Sequence, residues 1–465
     1  MTAGLDLLGN PVSTRDPAIL AGIDDFVGGF ITYESRASGI LKTAAAAPGS
    51  ALANAYAATL FMLLESPQGP VRARPFLDLA MAAPGANARE RAFIAFLAAW
   101  AGGDIPGALA LSDAIVEQWP RDLTTVKLHQ YLAFSLGDAA GMLRIVLKAA
   151  PACPETPQVH GMMAFAYEQC HLLTDAEAAA RRALAMTERE PWAQHALAHV
   201  MLTQGRIDEG ERFMAAAAPG WEDLNSFMVT HNWWHLALFR ISQGRGETAL
   251  DIHDRQGWVH DRDYSQDQVG AVSLLARLEL AGVDVGDRWD DVAAHIAARG
   301  PDVEQPFLAL HYLYGLARAG RAEAAGAQLE AVREQGRSAP AFSRAVWAEV
   351  ATPAAEGIVA FLAGRPEAAI AALNRAGPEL HRIGGSHAQR DLFEQVRVAA
   401  MVAAGRWGEA QQALELRRAF EPDGVPLNRA LALAYHRLDL PAQAAAAERR
   451  VTDAVARLSG NCQPM

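Results

Sequence analysis

The sequence predicts an all-α protein built from antiparallel helical hairpins that stack into a superhelix, an alpha-alpha solenoid. Two observations carry that expectation. Apolar residues recur at three- and four-residue spacing along almost the whole chain, in segments rich in Ala, Leu, Glu and Arg, with little β-type alternation. Short breaks interrupt those segments at Pro48-Gly49, 67–70, Gly102-Gly103, 151–157, Pro219-Gly220 and Gly384-Gly385.

The breaks also repeat. Gly103-Asp104 and Gly137-Asp138 stand 34 residues apart, and two further steps of 34 reach His171 and Gly205. Small residues keep the same interval, Ala164 with Ala198 and Ala176 with Gly210, as a close crossing of two helices requires. A helix–turn–helix period of 34 residues is the signature of tetratricopeptide-like repeats. Later turns at Gly244, Gly320, Gly364 and Gly405 follow the same style with looser spacing, 44 residues from Gly320 to Gly364 and 41 from there to Gly405. Three regions follow: irregular hairpins over 1–89, regular repeats over 90–250, and over 251–465 an irregular helical-repeat continuation ending in a cap.

Composition narrows the function classes. With 51% hydrophobic and 20% charged residues and 3 Cys among 465, the chain is neither a disordered tail nor a disulfide scaffold. Acidic residues exceed basic ones by 53 to 41, a net charge of -12, and the expectation is no nucleic-acid partner. Apolar runs such as Phe93–Gly103 stay near ten residues, about half of what crosses a bilayer, and 1–11 lacks the pattern of a signal peptide. A soluble, cytoplasmic protein without membrane contact is expected. Cys153, Cys170 and Cys462 have no metal-ligand spacing and read as thiols. The alanine- and arginine-rich helix over 438–458 fits a solvent-facing cap or a homodimer contact equally.

Function is sought on the first helix of each hairpin, which lines the inner wall of such arrays. Pro191-Trp192-Ala193-Gln194-His195-Ala196-Leu197-Ala198-His199 opens one first helix and Thr230-His231-Asn232-Trp233-Trp234-His235 lies on the next. Each carries histidines at i and i+4, one above the other on a single face. Consecutive first helices are neighbours, so the two pairs are expected to face one enclosed space walled by Trp192, Trp233 and Trp234. An ordinary core would use Leu, because every buried imidazole needs partners for its ring nitrogens. Glu168, His311, Asp251, His253, Asp254 and Asp267 are the nearest further polar candidates. Helical His pairs can share a metal ion, yet neither pair has a glutamate between its histidines, and imidazole acid–base chemistry is the alternative. A second block begins at Ser386, a natural N-cap with Gln389 three residues later. It places Arg390 as a fork for a carboxylate or phosphate, oriented by Asp391.

These residues together resemble the tetratricopeptide repeat protein 38 family. The resemblance is most specific at His231-Asn232-Trp233-Trp234-His235 and at Ile383-Gly384-Gly385-Ser386-His387-Ala388-Gln389-Arg390-Asp391. Trp192, His195, His199, Arg288-Trp289, His311 and Glu168 match as well, over roughly residues 15–435. His387 departs from the family form, and no histidine stands near Asn54 and Ala55. The resemblance implies a helical-repeat fold and one shared internal pocket, and it carries no assigned activity.

The functional expectation is a pocket for a small polar or anionic molecule, formed by Glu168, His195, His199, His231, Asn232, His235, His311, Arg390 and Asp391. Catalysis there would be imidazole acid–base chemistry or metal-assisted hydrolysis, with Asn232 as ligand or oxyanion donor and Arg390 as anion anchor. Cofactor and metal are left open. The alternative is a scaffold that grips a peptide in its concave groove.

Overall fold

The computed structural model describes residues 4–460, so Cys462 lies outside the described residues. The fold is all-α and tetratricopeptide-like; its strands are the two-residue antiparallel pair Gly4–Leu5 and Pro11–Val12. The chain forms two compact units, one of Met1–Leu197 with Gly220–Met228, the other of Ala198–Pro219 with Val229–Met465.

In the first unit, hairpins are formed by Ala51–Met62 with Gln68–Ala82, Ala88–Ala101 with Ile105–Gln118, Leu123–Ser135 with Ala139–Ala149, and Pro157–Gln169 with Leu173–Met186. The second unit continues the style in Ser265–Leu280 with Arg288–Ala298, Pro306–Arg318 with Ala322–Ser338, and His387–Ala403 with Trp407–Arg418. First helices are buried nearly all round: Leu123 to Gln130 are buried without a break. Second helices bury one stripe, as Gly141, Met142, Ile145, Val146 and Ala149 do.

One helix-ending device produces the 34-residue interval. At Gly137 (φ 72°) the chain turns left-handed, Gly137 N–H donates to the Phe134 carbonyl at 3.0 Å and Asp138 N–H to the Ala133 carbonyl at 2.9 Å. Asp138 then caps the next helix, accepting from Gly141 N–H at 2.7 Å. His171 holds the same conformation (φ 56°) without being glycine, with equivalent bonds to Glu168 and Tyr167. The period therefore survives a sequence position that breaks its glycine pattern.

The small residues mark crossings, as expected. A Cβ on Gly210 would sit 2.3 Å from carbons of the Phe239 ring, which is itself fully buried. Gly210→Val should therefore cost about 1–3 kcal/mol by overpacking, read as a lower urea midpoint. An unchanged midpoint would mean that this crossing can open.

One helical run is longer and more apolar than the sequence led us to expect. Ala341–Leu362 spans 22 residues, long and apolar enough by length and composition to cross a membrane; its 18-residue apolar stretch has mean hydropathy 1.3, and half of that stretch is buried inside the protein. Trp347, Val350, Ala351, Ala354, Ala355 and Ile358 form its inward stripe.

Candidate functional site

The Ser226–Ser242 helix carries the second histidine pair. At about 100° per residue, Trp234, His231, His235 and Asn232 fall in that order on one arc, and Trp233 falls on the other side. Burial follows this arithmetic: His231, Asn232, Trp234 and His235 are buried, and Trp233 is half-buried. Trp234 thus walls the histidines, stacking on His231 with centroids 5.4 Å apart and planes 7° apart, and meeting His235 edge-on at 4.9 Å. The expectation that Trp233 shares this wall is corrected by the helical phase.

His199, on the Pro191–Thr203 helix, comes to 4.4 Å from His235 between ring centroids, and His231 to 4.9 Å. Each of the three brings one ring nitrogen to within 4.8 Å of the others'. His387 stands edge-on to His199 at 5.4 Å. Burial pushes the His231 imidazole down to about 3, so it is neutral at physiological pH.

Two further groups mark this unit as chemically unusual. Asn232 is fully buried, and neither its amide nitrogen nor its carbonyl oxygen has a hydrogen-bond partner among the described residues. His311, fully buried on the Pro306–Arg318 helix, directs Nδ1 to the Phe307 carbonyl at 2.8 Å. A carbonyl only accepts, so Nδ1 holds the hydrogen and the lone pair lies on Nε2, which meets no partner among the described residues. Burial lowers His311 to about 4, against the Phe307 hydrogen bond and helped by the charge of Arg277. Its ring packs on Phe307 at 4.4 Å and Phe393 at 5.2 Å.

The Ser386 block has the expected capping box: Gln389 N–H donates to Ser386 Oγ at 3.2 Å and Ser386 N–H to Gln389 Oε1 at 2.9 Å. Gly384 and Gly385 both have positive φ, and a Cβ on Gly385 would lie 2.6 Å from the Phe307 ring. Arg390 folds back onto the carbonyls of Gly384, at 3.3 Å, and Gly385. Asp391 does not orient it. Neighbours on a helix diverge, and Asp391 instead takes both arms of Arg417, Nη2 at 2.7 Å. Burial by itself would raise the Asp391 carboxyl, yet Arg417 overrides that and holds it below the usual carboxylate range.

Asp267 and Asp254 hold segments together. Asp267 accepts from the Thr230 hydroxyl at 3.0 Å and from Asp261 N–H at 3.2 Å, fastening the histidine helix to Ser265–Leu280. Asp254 takes His253 Nδ1 at 3.1 Å and both arms of Arg288, at 2.7 and 2.6 Å. In the first unit, His195 stacks on Trp192 at 4.4 Å and packs on Phe165 at 5.0 Å, while buried Glu168 accepts from Gln169 Nε2 at 2.6 Å.

Sequence reasoning missed Arg277. This buried guanidinium donates to the Ala388 carbonyl at 2.7 Å and the Gln389 carbonyl at 3.2 Å, and lies 5.3 Å from the Trp234 ring centroid. Burial lowers it to about 10, with Asp391 opposing. It ties the capped Ser386 helix to the wall of the histidine cluster. The available signal was an arginine inside the apolar run from Ala271 to Leu278.

No family model matches the chain. Solved structures similar to it include a human IFIT1 dimer with m7Gppp-AAAA (12% identity, 95% of this chain and 96% of that one, TM-score 0.43). A Rap protein complexed with competence and sporulation factor (11%, 88% and 98%, 0.37) and yeast Tom70 (10%, 77% and 90%, 0.28) are others. The IFIT1 structures hold capped or triphosphate-bearing RNA. Beside these structures the expectation of no nucleic-acid partner is withdrawn, since a net acidic total does not by itself exclude that class. What these proteins have in common with this chain is a tetratricopeptide-like helical-repeat architecture.

Proposed function

We propose that this chain is a tetratricopeptide-like repeat protein, of the tetratricopeptide repeat protein 38 kind, whose second unit receives a small polar or anionic ligand at His199, His231, Asn232, His235 and His311, with Arg390 nearby in sequence to the capped helix start. The observation that carries the reading is Asn232, a fully buried amide with neither donor nor acceptor satisfied among the described residues. Such a group costs roughly 1–3 kcal/mol unless something else meets it. The lone pair of His311 Nε2 adds an acceptor in the same condition. A peptide lying along an open groove would instead need exposed contacts, and these five residues are buried.

The test is thermal denaturation and calorimetry of the full chain against inorganic phosphate, small mono- and dicarboxylates and free amino acids. A ligand at 100 times its dissociation constant should stabilise the protein by roughly 2.7 kcal/mol, with one site per chain. Asn232→Leu should lose that stabilisation while its circular dichroism stays helical. No stabilisation by any member of the panel, or equal stabilisation of the variant, would sink the reading.

A further inference from the structure

We propose that His199, His231 and His235 hold one divalent transition-metal ion, zinc by donor type, and that the ligand proposed above occupies the ion's remaining position. Only the ligand's part rests on the preceding reading; the ion does not.

Distance comes first. Three ring nitrogens, one from each histidine, lie within 4.8 Å of one another. Around a tetrahedral zinc with bonds near 2.0–2.1 Å, ligand nitrogens stand about 3.4 Å apart. The rings would have to draw together by about that difference to bind the ion. Donor chemistry comes next. The set is imidazole alone, which suits zinc and its neighbours, whereas calcium and magnesium demand oxygen.

The scaffold is also right for a metal. His231 and His235 are one turn apart on one helix, and His199 comes from a second, so the backbone sets their separation. Trp234 lies flat on His231 and edge-on to His235, which limits the orientations both rings can take. Side chains that fix ring orientation in this way are what metal ligands need. Three imidazoles are a donor set that zinc sites use.

The experiment uses the full chain purified without a histidine tag. Metal content is measured as isolated, after chelation, and after reloading with zinc; cobalt(II) loading then reports the ligand geometry through its visible d–d bands. About one ion per chain is expected, with tetrahedral cobalt absorption. His199→Asn and His235→Asn should each weaken zinc binding by more than the roughly 100-fold that loss of an outer-shell partner costs at most. His436→Asn, at an exposed residue paired with Glu448, should leave binding unchanged. Circular dichroism confirms that each variant is folded, and if one is not, the other and the cobalt spectrum of the wild-type chain still decide.

Far less than one ion per chain after reloading overturns the proposal, as does equal binding by the two site variants. The small-molecule panel is repeated on chelated protein to separate the two ideas. Panel binding without metal uptake overturns the ion and leaves the ligand reading standing. Metal uptake with no panel binding supports the ion and removes the ligand.

Discussion

Arg89→Met is expected to cost about 3–5 kcal/mol, the range for a buried ion pair that loses one member. Arg89 is 1% exposed in the first unit, and its carboxylate partners are buried as deeply. Nε donates to Asp122 at 2.7 Å, Nη1 stands 3.1 Å from Asp6, and Nη2 donates to the Tyr56 hydroxyl at 3.1 Å. Burial pushes the Asp6 carboxyl up even with the guanidinium beside it. Without Arg89, the buried carboxyl groups of Asp6 and Asp122 would lose the guanidinium they share. Asp122 would also be compromised as the cap of Leu123–Ser135, where it accepts from Thr125 N–H at 3.1 Å. The measurement is the urea midpoint, compared with the triple variant that adds Asp6→Asn and Asp122→Asn. The triple variant should recover part of the loss, because it removes the stranded charges. A single variant as stable as the wild type would refute the account.

The second large effect is an acid response centred on His311. Its folded value of about 4 lies below the ordinary 6.5, so the folded protein disfavours the proton. The contribution to stability is complete above pH 6.5, where both states are neutral. It is lost as pH falls from 6.5 towards 4, because only the unfolded chain takes up the proton there. About two and a half units correspond to roughly 3 kcal/mol at 1.36 kcal/mol per unit. His311→Gln should therefore flatten the fall of stability with acid over that window by close to one proton. Urea denaturation at pH 7 and pH 4.5 reads the difference. The same slope in both proteins would show that another group carries it.

Much of the fold was legible because it is written in local bonds. A left-handed residue and two backbone bonds to the preceding turn recur at fixed offsets, with an aspartate cap after Gly103 and Gly137, so Gly103, Gly137 and Gly205 announce their hairpins. His171 needed the period itself, since nothing in its own chemistry marks a left-handed turn. The capping box at Ser386 and Gln389 was equally local. The histidine pair was visible by spacing, and helical phase would have separated Trp233 from Trp234.

Long-range partners were not legible. Asp391 meets Arg417 across 26 residues of sequence, and Arg277 meets Ala388 across 111. Arg390 looked like an anion fork, yet its guanidinium also reaches the glycine carbonyls behind it.

The sequence by itself determined that this chain is a succession of helical hairpins and where each one ends, because those choices depend on backbone bonds a few residues long. The tertiary structure decided that His199 joins His231 and His235, that Asp391 belongs to Arg417, and that Asn232 is buried with its amide unmet. Those outcomes depend on the axial and rotational register of helices distant in sequence, a register set by packing along their whole length.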